Sequence, residues 1–170
     1  MHVNGFGSFA PFGEIPPGTL FLDLSLGAGP DTAILLKVAD PEQRLNCIRI
    51  FDRYLIEQGQ QMPTVTPRLP PDKPVLALPD FVVEIENRID NVTWESHVDF
   101  TRAAVMASDS GELSIKAYRN RDKDDYDFLL FHLTDGDHAV LPAAAVGFRR
   151  WSIARRTGPG ERFELFRFDL

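Results

Sequence analysis

Alternation of apolar and polar residues over 111–169 constrains the fold of this chain more than any other feature of its sequence. Residues 112–118 read ELSIKAY, with apolar side chains at one parity and polar side chains at the other. Successive side chains of a strand point to opposite faces, so this pattern predicts a half-buried strand. Residues 126–133 are apolar at both parities, which is typical of a strand covered on both faces. The alternating segments 147–154 and 162–168 flank the turn sequence TGPG, so we expect an antiparallel meander.

The same period of two recurs upstream of this meander. The further alternating segments are 20–26, 32–39, 81–86, 92–100 and 102–107. Residues 40–58 fit two interpretations, a hairpin that continues the strands or a short helix capped at Asp40 and Pro41. We therefore predict an all-β, mostly antiparallel fold, a β-sandwich or flattened barrel of about nine or ten strands with at most one or two short helices.

A length of 170 residues predicts one domain with an extended N-terminal arm. The predicted arm is 1–18, where glycine, proline and phenylalanine dominate and neither strand nor helix periodicity is present. Residues 19–170 form the predicted β domain, and a proline-rich connector spans 60–79 with six prolines. Such a proline density argues against an interior strand or helix in the connector. The phenylalanines of the arm recur every third residue, so we expect them to anchor it on this subunit or a neighbouring one.

The distribution of charge is uneven. The net charge is −7, residues 80–140 carry 14 acidic and 6 basic side chains, and residues 147–170 carry 6 arginines and 3 acidic side chains. Overall acidity argues against non-specific nucleic-acid binding, whereas the asymmetry would let the basic end of one copy meet the acidic middle of another. The single cysteine excludes an internal disulfide. Without a secretory signal pattern or a long apolar run, we expect a protein that is cytoplasmic or inside an assembled particle.

Arginines and aromatic residues interleave along the last strands, and both types are enriched at protein–protein contacts. An interface is favoured over a plain solvent face, and single-stranded nucleic acid ranks third. The predicted interface residues are Phe6, Phe9, Phe12, Arg149, Arg150, Trp151, Arg155 and Arg156.

A second pattern concerns a metal site. Glu95, His97 and Asp99 are spaced two apart, and His-x-Asp supplies two ligands of the facial triad that holds non-haem Fe(II). From His138 the chain reads HAVLPAAAVGFRR, which resembles the distal half of the Fe(II)/2-oxoglutarate dioxygenases. The resemblance implies His97, Asp99 and His138 as iron ligands and Arg149 as the group that binds the oxoglutarate carboxylate. Alternation alone also accounts for three polar residues on the solvent face of one strand.

These patterns favour a binding protein over an enzyme. The leading expectation is a non-enzymatic structural or interaction subunit of a larger assembly, such as a virion-type accessory or decoration protein, with no cofactor. Its partners would be copies of itself or other subunits. The two alternatives are an Fe(II)/2-oxoglutarate-type oxygenase that uses His97, Asp99 and His138, and a barrel that holds a small apolar ligand.

Overall fold

The computed structural model describes residues 2–3, 6–24, 33–40, 46–51, 63–86, 88–95, 104–118, 128–140, 145–158 and 161–169. The strands in these ranges are β1 (His2–Val3), β2 (Gly7–Pro11), β3 (Leu20–Asp23), β4 (Ala33–Lys37), β5 (Cys47–Phe51), β6 (Thr64–Val65), β7 (Pro74–Ala77), β8 (Val82–Ile85), β9 (Val92–Glu95), β10 (Val105–Ala107), β11 (Leu113–Tyr118), β12 (Phe128–His132), β13 (His138–Ala139), β14 (Ala145–Phe148), β15 (Arg150–Gly158) and β16 (Glu161–Asp169). The same ranges contain 3-10 turns at Phe12–Glu14 and Ile89–Asn91 and no α-helix. The predicted all-β class is confirmed. The strands outnumber the expected nine or ten because four of them have only two or three residues.

The strands divide between a large sheet and a small one. Thirteen strands form the large sheet, in the order β1-β2-β7-β3-β4-β5-β6-β11-β10-β14-β9, with β12 and β13 branching from β11. Pairing is dominantly antiparallel, and β6 with β11 is a parallel pair. Within the described ranges β1 and β9, the two ends of this path, do not pair with each other. The architecture is thus a sandwich and not a closed barrel, and the apolar-ligand alternative stays a prediction.

The small sheet, in the order β16-β15-β8, packs on one face of the large sheet. The main core lies between them. Leu36 and Ile48 from the large sheet and Ile153 from the small sheet are fully buried there. Trp151 stacks on Phe168, with ring centroids 5.1 Å apart. Both rings belong to the small sheet, on β15 and β16, and both are buried in the main core, so they remove large apolar areas from water on the face that packs against the large sheet.

Residues 6–15 of the predicted arm are tied to the body of their own chain. Strand β2 pairs with β7, and Phe12 is buried against Phe21 with ring centroids 5.4 Å apart. The ammonium group of Lys37 donates to the carbonyl oxygens of Phe12 at 2.9 Å, Gly13 at 3.3 Å and Ile15. One side chain thereby satisfies three carbonyls of the 3-10 turn, which fixes the turn on the face of the large sheet opposite the main core.

The structure corrects two expectations about individual segments. The connector predicted at 60–79 contains β7, an interior strand that pairs with β2 on one side and β3 on the other. Pro74 is tolerated because it is the first residue of the strand, where a missing N–H interrupts the ladder least. The segment 147–154, which was predicted as one strand, divides at Arg149 into β14 of the large sheet and β15 of the small sheet.

Two further expectations concern hairpins. β5 pairs antiparallel with β4, so the described part of 40–58 adopts the hairpin form and not the helix. The hairpin of β10 and β11 forms as its turn sequence indicates, with Gly111 at a φ of 82°. A positive φ of this size is accessible to glycine at little steric cost, which explains the residue at that turn.

Candidate functional site

The arginines near the C-terminus lie on the small sheet, where they bind carboxylates of the same chain. Here the outer face denotes the face of β8, β15 and β16 that is turned away from the large sheet. Glu84 on β8 accepts hydrogen bonds from Nε of Arg156 at 2.9 Å and Nε of Arg162 at 2.7 Å. Glu164 accepts one from Arg162 at 2.6 Å and two from Arg167, at 3.0 and 2.9 Å. The outer face therefore carries a continuous chain of ion pairs.

These contacts set the charge states of the two glutamates. The hydrogen bonds from Arg162 and then Arg156 lower the pKa of Glu84 from its ordinary value. Hydrogen bonds from Arg167 and Arg162 lower the pKa of Glu164 to about 2. A carboxylate that accepts bidentate bonds from a guanidinium is held in one geometry. The side chains of the outer face are therefore ordered before any partner binds.

Asn91 organises the corner at which the chain passes from β14 to β15. Its side chain is fully buried, and its amide nitrogen donates to the carbonyl oxygens of Glu86 at 2.7 Å and Arg150 at 2.8 Å. Its side-chain oxygen accepts a hydrogen bond from the backbone N–H of Arg150. The Arg150 guanidinium in turn lies 3.0 Å from the carboxylate of Asp90. One buried amide thus aligns β8 with β15 and orients the first arginine of β15.

The predicted interface residues of the C-terminal part have unequal access to solvent. Trp151 is 2% exposed and belongs to the core of its own chain. The Arg155 guanidinium lies 5.6 Å from the ring centroid of Phe81. The Arg156 side chain is 78% exposed and that of Arg150 is 30% exposed, so Arg156 offers more surface to a partner. Arg149 lies at the corner, half-buried, and its backbone N–H donates to the Asn91 carbonyl oxygen at 3.1 Å.

The three N-terminal phenylalanines also differ in their exposure to solvent. Phe12 is buried in its own chain, Phe9 is 41% exposed, and Phe6 makes edge contacts with the rings of Phe81 at 5.8 Å and Phe163 at 6.1 Å. Phe163 itself is 45% exposed. The N-terminal segment therefore meets the small sheet at a half-exposed aromatic cluster, which consists of Phe6, Phe81 and Phe163.

Strand β16 is the feature that sequence analysis missed as a site. It has nine residues and, in the part of the chain that the structure describes, pairs only with β15. Among the described strands, none pairs with the backbone N–H and C=O groups along the edge of β16 away from β15, and groups of this kind can accept a further strand. Arg162, Phe163 and Arg167 of the interleaved arginine and aromatic pattern lie on it, together with Glu164, but the predicted interface residues stop at Arg156. The available signal was the position of 162–168 at the end of the predicted meander, where a strand has only one neighbour.

A second feature is a cleft of about 370 Å³ beside the hairpin of β10 and β11. Ser114 Oγ and His132 Nδ1 are 3.3 Å apart, and His138 also lines the cleft. His138 is exposed, with its ring edge-on to Phe131 at 5.9 Å between centroids. The cleft presents two imidazoles and several hydroxyls, an arrangement suited to weak binding of a small polar molecule.

The predicted iron ligands are only partly placed by the structure. His97 and Asp99 lie outside the described residues, and the described residues contain no group of three His, Cys, Asp or Glu side chains suited to a metal ion. Cross-strand pairs connect His138, through β12, β11 and β10, to Phe148, the neighbour of Arg149 in sequence. These four interstrand steps are a path of about 19 Å along the sheet. The proposed iron ligands His97, Asp99 and His138 and the proposed role of Arg149 stay predictions.

Comparison of the chain with family models, curated proteins and solved structures found no match. No helix among the described residues has the length and apolar character needed to cross a membrane. The geometry of the small sheet and of β16 is therefore the basis for the proposed function.

Proposed function

We propose that this protein is a non-enzymatic assembly subunit that associates with further copies of itself through the edge strand β16. The single observation that carries this proposal is the nine-residue length of β16, with a neighbour on one side only in the described chain. Natural proteins usually shorten or cover such edges, because an open edge is a template for another strand. An edge of this length next to a half-exposed phenylalanine is better suited to association than to solvent.

The surroundings of β16 support the proposal. Phe163 adds exposed aromatic area, and aromatic side chains contribute strongly to interfaces. The ion pairs of Glu84 and Glu164 fix the outer face in the free protomer, so less side-chain entropy is lost on association. Strand addition supplies affinity through backbone hydrogen bonds and specificity through side chains on alternating positions. A decoration or accessory subunit of a virion-type particle is one class of protein that works in this way.

Light scattering on the purified full chain, at concentrations that span about a hundredfold range, tests the proposal. We expect a molar mass above that of the protomer that increases with concentration, and we expect Phe163→Ser to lower it. Val82→Ser is the matched control, because Val82 is 53% exposed but lies on β8, at the opposite edge of the small sheet. A protomer mass at every concentration would overturn the proposal.

Iron determined on the same sample tests the oxygenase alternative. About one equivalent of iron per chain, lost in His138→Ala, would favour the site at His97, Asp99 and His138. Iron content unaffected by that substitution would count against it.

A further inference from the structure

We propose that two copies pair antiparallel through β16 in a single register, in which Leu165 lies opposite the partner's Phe166. The inference rests on the proposed function and adds to it the partner strand, the symmetry and the residues that determine register. The product is a continuous six-stranded sheet across a two-fold axis, made from the three strands of each small sheet. An interface of this kind is self-complementary, so each contact occurs twice.

A β-bulge makes this register possible. Ile153 is opposite Phe166 and Ala154 is opposite Glu164, so Leu165 is an extra residue on β16. In a regular strand, Glu164 and Arg167 would point to opposite faces because they are three residues apart. With the extra residue both lie on the outer face, where they form two hydrogen bonds with each other.

Because of the bulge, the order of charges along β16 is complementary to the same order in a second, antiparallel copy of β16. Arg162 and Glu164 lie on the outer face before the bulge, and Arg167 lies on it after the bulge. With Leu165 opposite the partner's Phe166, Glu164 faces the partner's Arg167. Opposite charges at directly facing positions are favourable cross-strand pairs. Each unlike pair occurs twice across the two-fold axis.

The inner-face side chains of β16 are also compatible with this register. Phe166 and Phe168 contact Trp151 in the core, and Phe163 contacts Phe81, so all three point inward. In the proposed register Phe163 lies opposite the partner's Phe168. Phe163 is 45% exposed in the protomer, and a strand added beside β16 would reduce that exposure. Burial of this aromatic area supplies part of the driving force for pairing.

Neighbouring registers are disfavoured by the same side chains. A shift that sets Arg162 opposite the partner's Arg167 places like charges in contact. A shift by one residue sets Glu164 opposite the partner's Phe166 and so pairs an outer-face residue with an inner-face one. A strand resists such shifts when one face is buried and when the wrong partners repel. The charges therefore select the register, whereas backbone bonds and Phe163 supply most of the affinity.

Charge exchange between two variants tests the register. Glu164→Arg alone places two arginines opposite each other in every pair, and Arg167→Glu alone places two glutamates opposite each other. We expect each variant to dimerise at least about tenfold more weakly than the wild type. An equimolar mixture of the two restores both unlike pairs, so we expect a heterodimer, resolved by native mass spectrometry with one chain isotopically labelled. Glu112→Arg, a charge reversal at an exposed residue in the turn between β10 and β11 of the large sheet, is the matched control and should leave dimerisation unchanged. Thermal unfolding of each variant verifies that the protomer is folded.

The possible results separate this inference from the proposed function. If the wild type associates but the single variants associate equally well, the register is wrong and the assembly proposal stands. Folded single variants that stay monomeric in the mixture would also refute the register. If the wild type is monomeric throughout, both proposals fail.

Discussion

Removal of the buried amide of Asn91 is predicted to destabilise the protein more than any exposed substitution on the small sheet. Asn91→Ala deletes three hydrogen bonds, two to the carbonyl oxygens of Glu86 and Arg150 and one from the Arg150 backbone N–H. Each bond contributes about 1 kcal/mol net, and the buried backbone groups left without partners add a further penalty of about 1–3 kcal/mol. We expect a total loss of about 4 kcal/mol. For a chain of this size that corresponds to a fall in Tm of about 10 °C.

Asn91→Asp separates the hydrogen bonds from the volume of the side chain. The introduced carboxylate can still accept from the Arg150 N–H, but its second oxygen faces two carbonyl oxygens in a fully buried position. Burial and these acceptors raise the pKa of the introduced carboxyl in the folded state. Because the folded state then holds the proton more tightly, the variant loses stability as pH rises above about 4, the ordinary Asp pKa, and recovers on acidification.

Urea and thermal unfolding, followed by circular dichroism at a concentration where the protein is monomeric, measure both effects. Asp90→Asn is the control, since Asp90 precedes Asn91 but its side chain is exposed and paired only at the surface. We expect the control to unfold close to the wild type. A loss below about 1 kcal/mol in Asn91→Ala would show that water replaces the amide, and it would refute the assigned role of Asn91.

Two further predictions concern single charged side chains. Lys37→Met keeps the aliphatic stem but removes the bonds to the carbonyl oxygens of Phe12, Gly13 and Ile15, so we expect a loss of about 2 kcal/mol and faster amide hydrogen exchange in 6–15. Unchanged exchange there would contradict the role of Lys37, and Lys73→Met, which removes a lysine paired with Asp23, is the comparison. Glu164 has a folded pKa of about 2 against an ordinary 4.5, so the stability it contributes is fully present above pH 4.5 and is lost as pH falls toward 2. Glu164→Gln should flatten this part of the curve of unfolding free energy against pH. Because the site is partly exposed, added salt should reduce the difference between the two proteins. An identical curve for both proteins would refute the pairing of Glu164 with its arginines.

The sequence predicts the fold class well because period-two alternation is a local property. β11 falls inside a segment that alternation selects, β12 inside the segment that is apolar at both parities, and the hairpin of β10 and β11 follows from its turn residues. Strand membership is less local. β7 lies among prolines, yet it is an interior strand because β2 and β3 supply partners on both sides. The low strand propensity of proline does not keep Pro74 out of the strand. A proline at the first residue of a strand removes little hydrogen bonding from the sheet.

Alternation marks the break at Arg149 but does not explain it. In 147–154 the pattern is interrupted by two consecutive arginines, Arg149 and Arg150, and there the chain leaves one sheet and enters the other. The cause is Asn91, a residue remote in sequence whose buried amide binds both the N–H and the C=O of Arg150. A polar residue between two predicted strands carries no local sign that it will be buried, so this role becomes visible only in the fold.

The same argument applies to the candidate site. The arginines near the C-terminus were recognisable as a surface feature, but their partners were not, since Glu84 is more than 70 residues away from Arg156 and Arg162. The bulge at Leu165 has one sign in the sequence, the consecutive apolar pair Leu165 and Phe166, at which the apolar residues change parity. The arginine and aromatic pattern covers both β15 and β16, but the predicted interface residues stop at Arg156 on β15.

The charge asymmetry of the chain acquires a different meaning in the structure. From the sequence, the acidic middle and the basic end are either two solvated faces or surfaces that meet between copies, but antiparallel pairing of β8 with β15 brings Glu84 and Arg156 together within one chain. Charges that are already paired within the protomer contribute little to the free energy of association. The carboxylate already accepts hydrogen bonds from arginines of its own chain when an unlike charge of the partner approaches. Added salt should therefore change the affinity of the dimer only modestly, whereas reversing one charge creates repulsion that the intrachain network cannot relieve. A matched charge pair therefore adds little affinity, whereas a pair of like charges costs much more. This difference allows the edge strand to specify one register.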